Sequence, residues 1–184
     1  WGGHRRAIEL TTDDLIDDLL NGSDLEKSRA AAVLKAKCVP ALAKLKSSGA
    51  AEGKLGYALC QEYGLGGVKK DPAAALACYK ELAQTGHVRA IFAMSMRYWN
   101  GECGLQKDPI KACQYMQAAA KAGHAEAQYL LALTYFTGDQ AMAVKQDYAR
   151  ARALLTQAAE GGQFKAIGTL AWMLHEAVGC KPDP

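Results

Sequence analysis

The sequence predicts an all-α fold, a right-handed α-solenoid of stacked antiparallel helix hairpins. Three observations lead there. Gly49, Gly86, Gly123 and Gly162 recur at intervals of 37, 37 and 39 residues, a period typical of helical arrays. Between them, small and large apolar residues fall on helical stripes rather than alternating. Asp, Pro and Gly stand where such helices would start and stop. Half of the 184 residues are hydrophobic and 22% are charged, enough for a core and too apolar for a mainly disordered chain. Charged, polar or Gly residues interrupt every apolar stretch well short of the ~18 residues a membrane span needs.

Residues 1–22 read as an acidic N-terminal helix. Thr11 or Thr12 can cap D-D-L-I-D-D-L-L, which stops at Asn21-Gly22, and its Asp residues lie near the helix N-terminus, where the dipole favours them. Ser23 with Glu26 forms a capping box for a second helix to about Lys37. Pro40 then permits a third, A-L-A-K-L-K-S-S-G. Residues 23–48 are therefore a degenerate repeat or an N-terminal cap, since the end of a stack needs a polar outer face.

Units 49–85, 86–122 and 123–161 each open with a helix, A. Small residues recur at Gly53, Ala90, Ala127 and Ala166, and large ones at Tyr57, Met94, Leu131 and Leu170. Ala58, Ser95, Ala132 and Ala171 follow, and Tyr98 and Tyr135 come four positions after the large residue, with Gln61 and Leu174 in the outer copies. This spacing puts one stripe toward the core, so Ala90, Leu131 and Tyr135 are expected to be buried. Gly64, Gly101 and Gly138 close the helices, with Ala177 in the last copy; glycine takes the left-handed stop without a Cβ clash.

A loop follows, with Val68, Leu105 or Val144 three residues before Asp71, Asp108 or Asp147. The aliphatic can plug the loop onto the core, and the Asp can cap the next helix, B, with Pro after it in the first two copies. The third loop is two residues longer. Helix B carries Ala75, Cys78, Tyr79, Leu82 and Ala83, then Ala112, Tyr115, Met116, Ala119 and Ala120, a narrow Ala-rich stripe suited to close packing. Such hairpins bury their apolar faces only by stacking.

The pattern resembles the Sel1-like repeat, a relative of the tetratricopeptide repeat with a longer A-to-B loop. Its series of Ala, Leu-Gly, Tyr, Gly-x-Gly-Val-x-x-Asp, Lys-Ala, Tyr, Ala-Ala and Gly is matched well by residues 86–162, loosely by 49–85, and in its first half by 163–184. Gln61 departs from the Tyr, Ser95 and Ala132 depart from the second Gly, and the third loop is expanded. Disulfide-rich bacterial members place Cys where this chain has Ala83, Ala120 and Ala159, so their pairing is not expected. Residues 162–184 read as a truncated half repeat, with Asp183-Pro184 like the signal before a further helix B. Trp1 in place of Met predicts that residues precede it.

Charge and cysteines narrow the function. The net charge is +3, with no dense Lys/Arg cluster to displace phosphate counterions, which argues against nucleic acid. Cys38, Cys60, Cys78, Cys103, Cys113 and Cys180 include no C-x-x-C pair and no zinc-ligand spacing. They fit buried thiols of a reducing compartment, which favours the cytoplasm, while the even count permits disulfides in an exported or periplasmic protein. His87 and His124 occupy one position of successive repeats, a loop-to-helix residue rather than a metal pair. The Asp13, Asp14, Asp17, Asp18 cluster lacks the alternation and central Gly of a calcium loop. Gly64-Leu65-Gly66-Gly67 lacks the Lys-Ser/Thr of a phosphate loop. No nucleophile, metal or cofactor site is expected, and no enzymatic activity.

What remains is a second apolar stripe on helix A. Phe92, Met96 and Trp99 are spaced i, i+4, i+7, Tyr129, Leu133 and Phe136 repeat the spacing, Leu55 and Leu59 precede, and Trp172 follows at the Met96 position. Stacking would align them in columns. Two readings stand: packing between repeats, or a concave groove gripping a helix or extended peptide, with Arg89, Arg97, Glu62 and His175 beside it. The expected function is a non-enzymatic adaptor or scaffold that binds another protein or peptide, as the resemblance implies. The alternatives are a bacterial immunity protein that neutralises a cognate toxin, and a regulatory repeat module of a larger enzyme.

Overall fold

A computed structural model describes residues 39–175. The acidic helix of 1–22, the capping-box helix, Ala177 and the Asp183-Pro184 signal lie outside the described residues. Among the described residues there are eight α-helices and one short 3-10 turn, with no strand beyond an isolated bridge between Asp139 and Val144. The fold is all-α. The chain divides between Cys78 and Tyr79 into two compact units.

In the first unit, α1 (Val39–Ser47) starts with Pro40 in its first turn, where a missing N–H costs nothing. It packs on α2 (Ala51–Tyr63). Leu42 presses so closely on α2 that a Cβ at Gly56 would stand 2.7 Å from Leu42 Cδ2. Tyr57, expected toward the core, is half-buried beneath the Lys46 ammonium, 4.2 Å from the ring centroid, and Leu55 takes the buried place. The turn Leu65–Gly67 leads on, and α3 (Pro72–Gln84) begins where the Asp71 carboxylate accepts the Ala74 N–H at 2.9 Å.

The second unit takes α4 (Val88–Asn100), α5 (Pro109–Lys121), α6 (Ala125–Thr137), α7 (Tyr148–Glu160) and α8 (Phe164–His175). The Asp108 N–H donates to Tyr98 O at 2.9 Å and the Ser95 hydroxyl to Ala112 O at 2.9 Å. Partners that diverge in number from the loop make α4 and α5 an antiparallel hairpin. The Asp147 N–H donates to Tyr135 O at 2.8 Å, so the longer third loop closes on the same atom as the others. Asp108 and Asp147 accept the Lys111 and Arg150 N–H groups at 2.9 and 3.0 Å, as N-caps should.

Each B helix ends in one way. The N–H groups of His87, His124 and Gln163 donate to Leu82, Ala119 and Ala158 O at 3.0, 3.0 and 2.9 Å, across glycines at φ 83, 87 and 85°. This six-to-one bond with a left-handed residue is a Schellman stop. Gly101 is left-handed as well, whereas Gly138 keeps a positive φ of 74° but has ψ 150°, outside the left-handed helical region, where the longer loop begins.

Two clusters fill the unit. Cys113, Met116, Ala119 and Ala120 of α5 meet Ala127 and Leu131 of α6, with Met142 of the loop. Ala132 of α6 meets Leu155 and Ala158 of α7 and Ala166 and Met173 of α8. Helix α6 serves both clusters, which couples the repeats. Ala90 and Leu131 are buried as expected, whereas Tyr135 is half-buried, since its ring lies at the edge of the helix contact rather than beneath it.

Candidate functional site

The helix A stripe runs over α4, α6 and α8 of the second unit. In the first unit Leu55 is buried at 3% exposed, but in the second no stripe residue is: Phe92, Met96, Tyr129, Leu133 and Phe136 are half-buried, and Trp99 and Trp172 are 38% and 49% exposed. Rings also meet between repeats. Phe92 stacks on His124 with centroids 4.4 Å apart and Phe136 meets Trp172 edge-on at 5.8 Å, while within its own repeat Phe136 meets Tyr148 edge-on at 5.4 Å. The stripe thus combines packing between repeats with a partly open face. Arg89 is exposed beside it. Arg97 is not: it is 7% exposed, its guanidinium lies 4.9 Å from the Tyr79 centroid, and Nε stands 3.9 Å from Glu102.

His87 and His124 are N-caps. Their Nδ1 atoms accept the Ala90 and Ala127 N–H groups at 3.3 and 3.2 Å, which requires a neutral ring acceptor. Burial, aided by the charge of Arg89, pushes the His124 pKa below its ordinary value. Cys113 sits within the α5–α6 cluster, and burial pushes its thiol up, away from reactivity.

Sequence reasoning missed a recurring cluster at the helix B start. Lys111 Nζ pairs with Asp108 at 3.0 Å and lies 5.5 Å from the Tyr98 centroid; Arg150 Nε pairs with Asp147 at 3.2 Å, and its Cζ lies 5.6 Å from the Tyr135 centroid. Hydrogen bonds from Lys111, its backbone N–H first and its ammonium second, hold the Asp108 carboxyl below its usual value. The signal was present in the sequence: Tyr and the cation occur together in these two repeats and are replaced together, by Gln61 and Ala74, in the preceding one.

A concavity opens between α5 and α7. A cavity of about 530 Å³ adjoins one of about 310 Å³, and both share Gln117, Tyr135 and Arg150. None of the stripe residues lines it. Among the described residues, no three His, Cys, Asp or Glu side chains converge as a metal site would require, and no helix is long and apolar enough to cross a membrane.

The Sel1 repeat model matches residues 50–87, 88–124 and 125–163, more than half of the chain. The chain belongs to the Sel1 repeat family. Sel1 repeats act as protein–protein interaction scaffolds, typically as non-catalytic modules. Solved structures share the fold, and two of them illustrate it. A protective antigen present in uropathogenic Escherichia coli strains, displaying an SLR fold, superposes with a TM-score of 0.63 at 23% identity over 93% of this chain. A Sel1 repeat protein from Oxalobacter formigenes gives 0.66 at 22% identity over 95%. This chain spans 38% of the antigen's length and 68% of the second protein's. No curated protein matches it.

Proposed function

We propose that this Sel1 repeat chain is a non-enzymatic adaptor that holds another protein against the helix A stripe. The observation that carries the reading is the incomplete burial of the stripe, with two tryptophans open to solvent. Large aromatics that are rigid, half-desolvated and adjacent suit an interface centre. Phe92, Met96, Tyr129, Leu133 and Phe136 would supply the surrounding apolar surface, and exposed Arg89 a rim charge. Arg97 contributes by fixing the end of α4 rather than by touching a partner.

Affinity capture from source lysate, read by mass spectrometry, tests this with Trp99→Ala/Trp172→Ala as the control bait. Because both rings are substantially exposed, the variant should keep its helicity and lose stoichiometric partners. Recovery of the same partners by both baits would exclude the stripe as the site. Capture of one tightly bound toxin would instead favour the immunity reading.

A further inference from the structure

The groove between α5 and α7 has a chemistry different from the stripe. Its walls carry Lys121 of α5, Lys145 of the third loop and Arg150 of α7, with Gln117, Gln146 and Gln157 among them. Its floor is apolar, from Ala120, Leu131 and Leu154, with the Tyr135 ring between the two halves. One carboxylate lines it, Asp147, and that group is engaged: it accepts the Arg150 N–H at 3.0 Å and pairs with Arg150 Nε at 3.2 Å. Arg150 and Asp147 offset each other, which leaves Lys121 and Lys145 as the uncompensated charges of the groove.

We propose that this groove binds an extended, acidic peptide segment of a partner protein. Carboxylates of the segment would meet Lys121, Lys145 and the remaining Arg150 donors. The Gln117 and Gln157 amides supply polar groups for its main chain, whereas Gln146 donates to Phe136 O and the Tyr148 hydroxyl, and the floor takes its aliphatic groups. The combined volume lies in the range of ligand sites, large enough for a short segment and too small for a folded domain.

The site is built by the longer third loop, which supplies Met142, Val144 and Lys145. That loop is held by reciprocal bonds: the Asp139 N–H donates to Val144 O and the Val144 N–H to Asp139 O, both at 2.8 Å, and the Met142 N–H donates to the Asp139 carboxylate at 3.0 Å. A wall fixed in advance lowers the ordering cost of binding. The loop with the two-residue expansion supplies Asp139, whose bonds fix it, while Val144 and Lys145 occupy positions that every loop has.

The test is fluorescence anisotropy with a fluorescein-labelled decapeptide of alternating Glu and Val, against its Gln-for-Glu counterpart. The acidic peptide should bind about tenfold more tightly at low salt, with the gap closing in high salt. Lys121→Gln/Lys145→Gln should remove about tenfold of that affinity. Arg150→Gln should do the same, and the lysine pair keeps the test valid if that variant disturbs the helix start. Trp99→Ala/Trp172→Ala should leave this binding unchanged, so that this proposal and the stripe reading fail separately. Equal affinity for the two peptides, indifference to the lysine pair, or equal competition by an oligonucleotide of matched charge would overturn it.

Discussion

At the scale of single residues, two positions carry backbone conformations that suit glycine better. Cys103 and Ala143 both have φ 56°, and Ala143 falls where the preceding repeats have Gly67 and Gly104 before the loop aliphatic. A left-handed residue with a Cβ costs about 1–2 kcal/mol, partly offset by the added freedom glycine brings to the unfolded chain. Ala143→Gly should therefore raise stability by up to about 1 kcal/mol, as read by urea denaturation. His124 gives a pH dependence. Its pKa is lowered in the fold, so the unfolded chain takes up the proton first as pH drops through about 6.5. The stabilisation is complete above that value and declines below it, until the lower folded value is reached. His124→Asn, which caps without titrating, should flatten stability between pH 7 and pH 5 in denaturation series.

At the scale of elements, the helix B starts are built from one side chain that does two jobs. Asp147 accepts the Arg150 N–H and pairs with its guanidinium. Asp147→Ala should cost about 1 kcal/mol through the lost cap, measured as a lower urea midpoint with unchanged slope. The exposed ion pair adds little to that. The Asp and Gly signals were legible in the sequence because they act within one helical turn, Asp before the first turn and Gly after the last. His87 and His124 were legible as loop-to-helix residues, whereas their cap bonds came from the structure. The cation–Tyr contact left only a joint occurrence of the two residues in the sequence, because the contact itself joins α4 to α5 or α6 to α7 across a loop whose closure only coordinates reveal.

At the scale of the whole molecule, burial rather than hydrophobicity sets energetic weight. Leu131 is 4% exposed and serves the α5–α6 cluster, whereas Phe164 on α8 is 84% exposed. Leu131→Ala should cost about 2–5 kcal/mol, and Phe164→Ser less than about 0.5 kcal/mol despite the larger ring removed. Thermal unfolding of the two variants side by side checks both; similar losses would contradict the assigned core. The Sel1 repeat architecture explains the contrast, since α6 lies between clusters shared with α5 and with α7 and α8, while one face of α8 carries Ile167 and Leu174 into solvent.

The sequence by itself determined the period, the helical repeats, their Asp caps and Gly stops, and family membership, because each depends on residues within a few positions of one another or on their regular recurrence. Tertiary structure alone decided which apolar side chains are spent in the core. It left Tyr135 half-open where the stripe placed it inside, drew Arg97 into the interior, and kept the helix A aromatics partly in solvent. It also opened the groove between α5 and α7, whose walls come from two helices and a loop. Burial and concavity depend on where neighbouring helices stand, and periodicity carries the identity of a face without the position of what covers it.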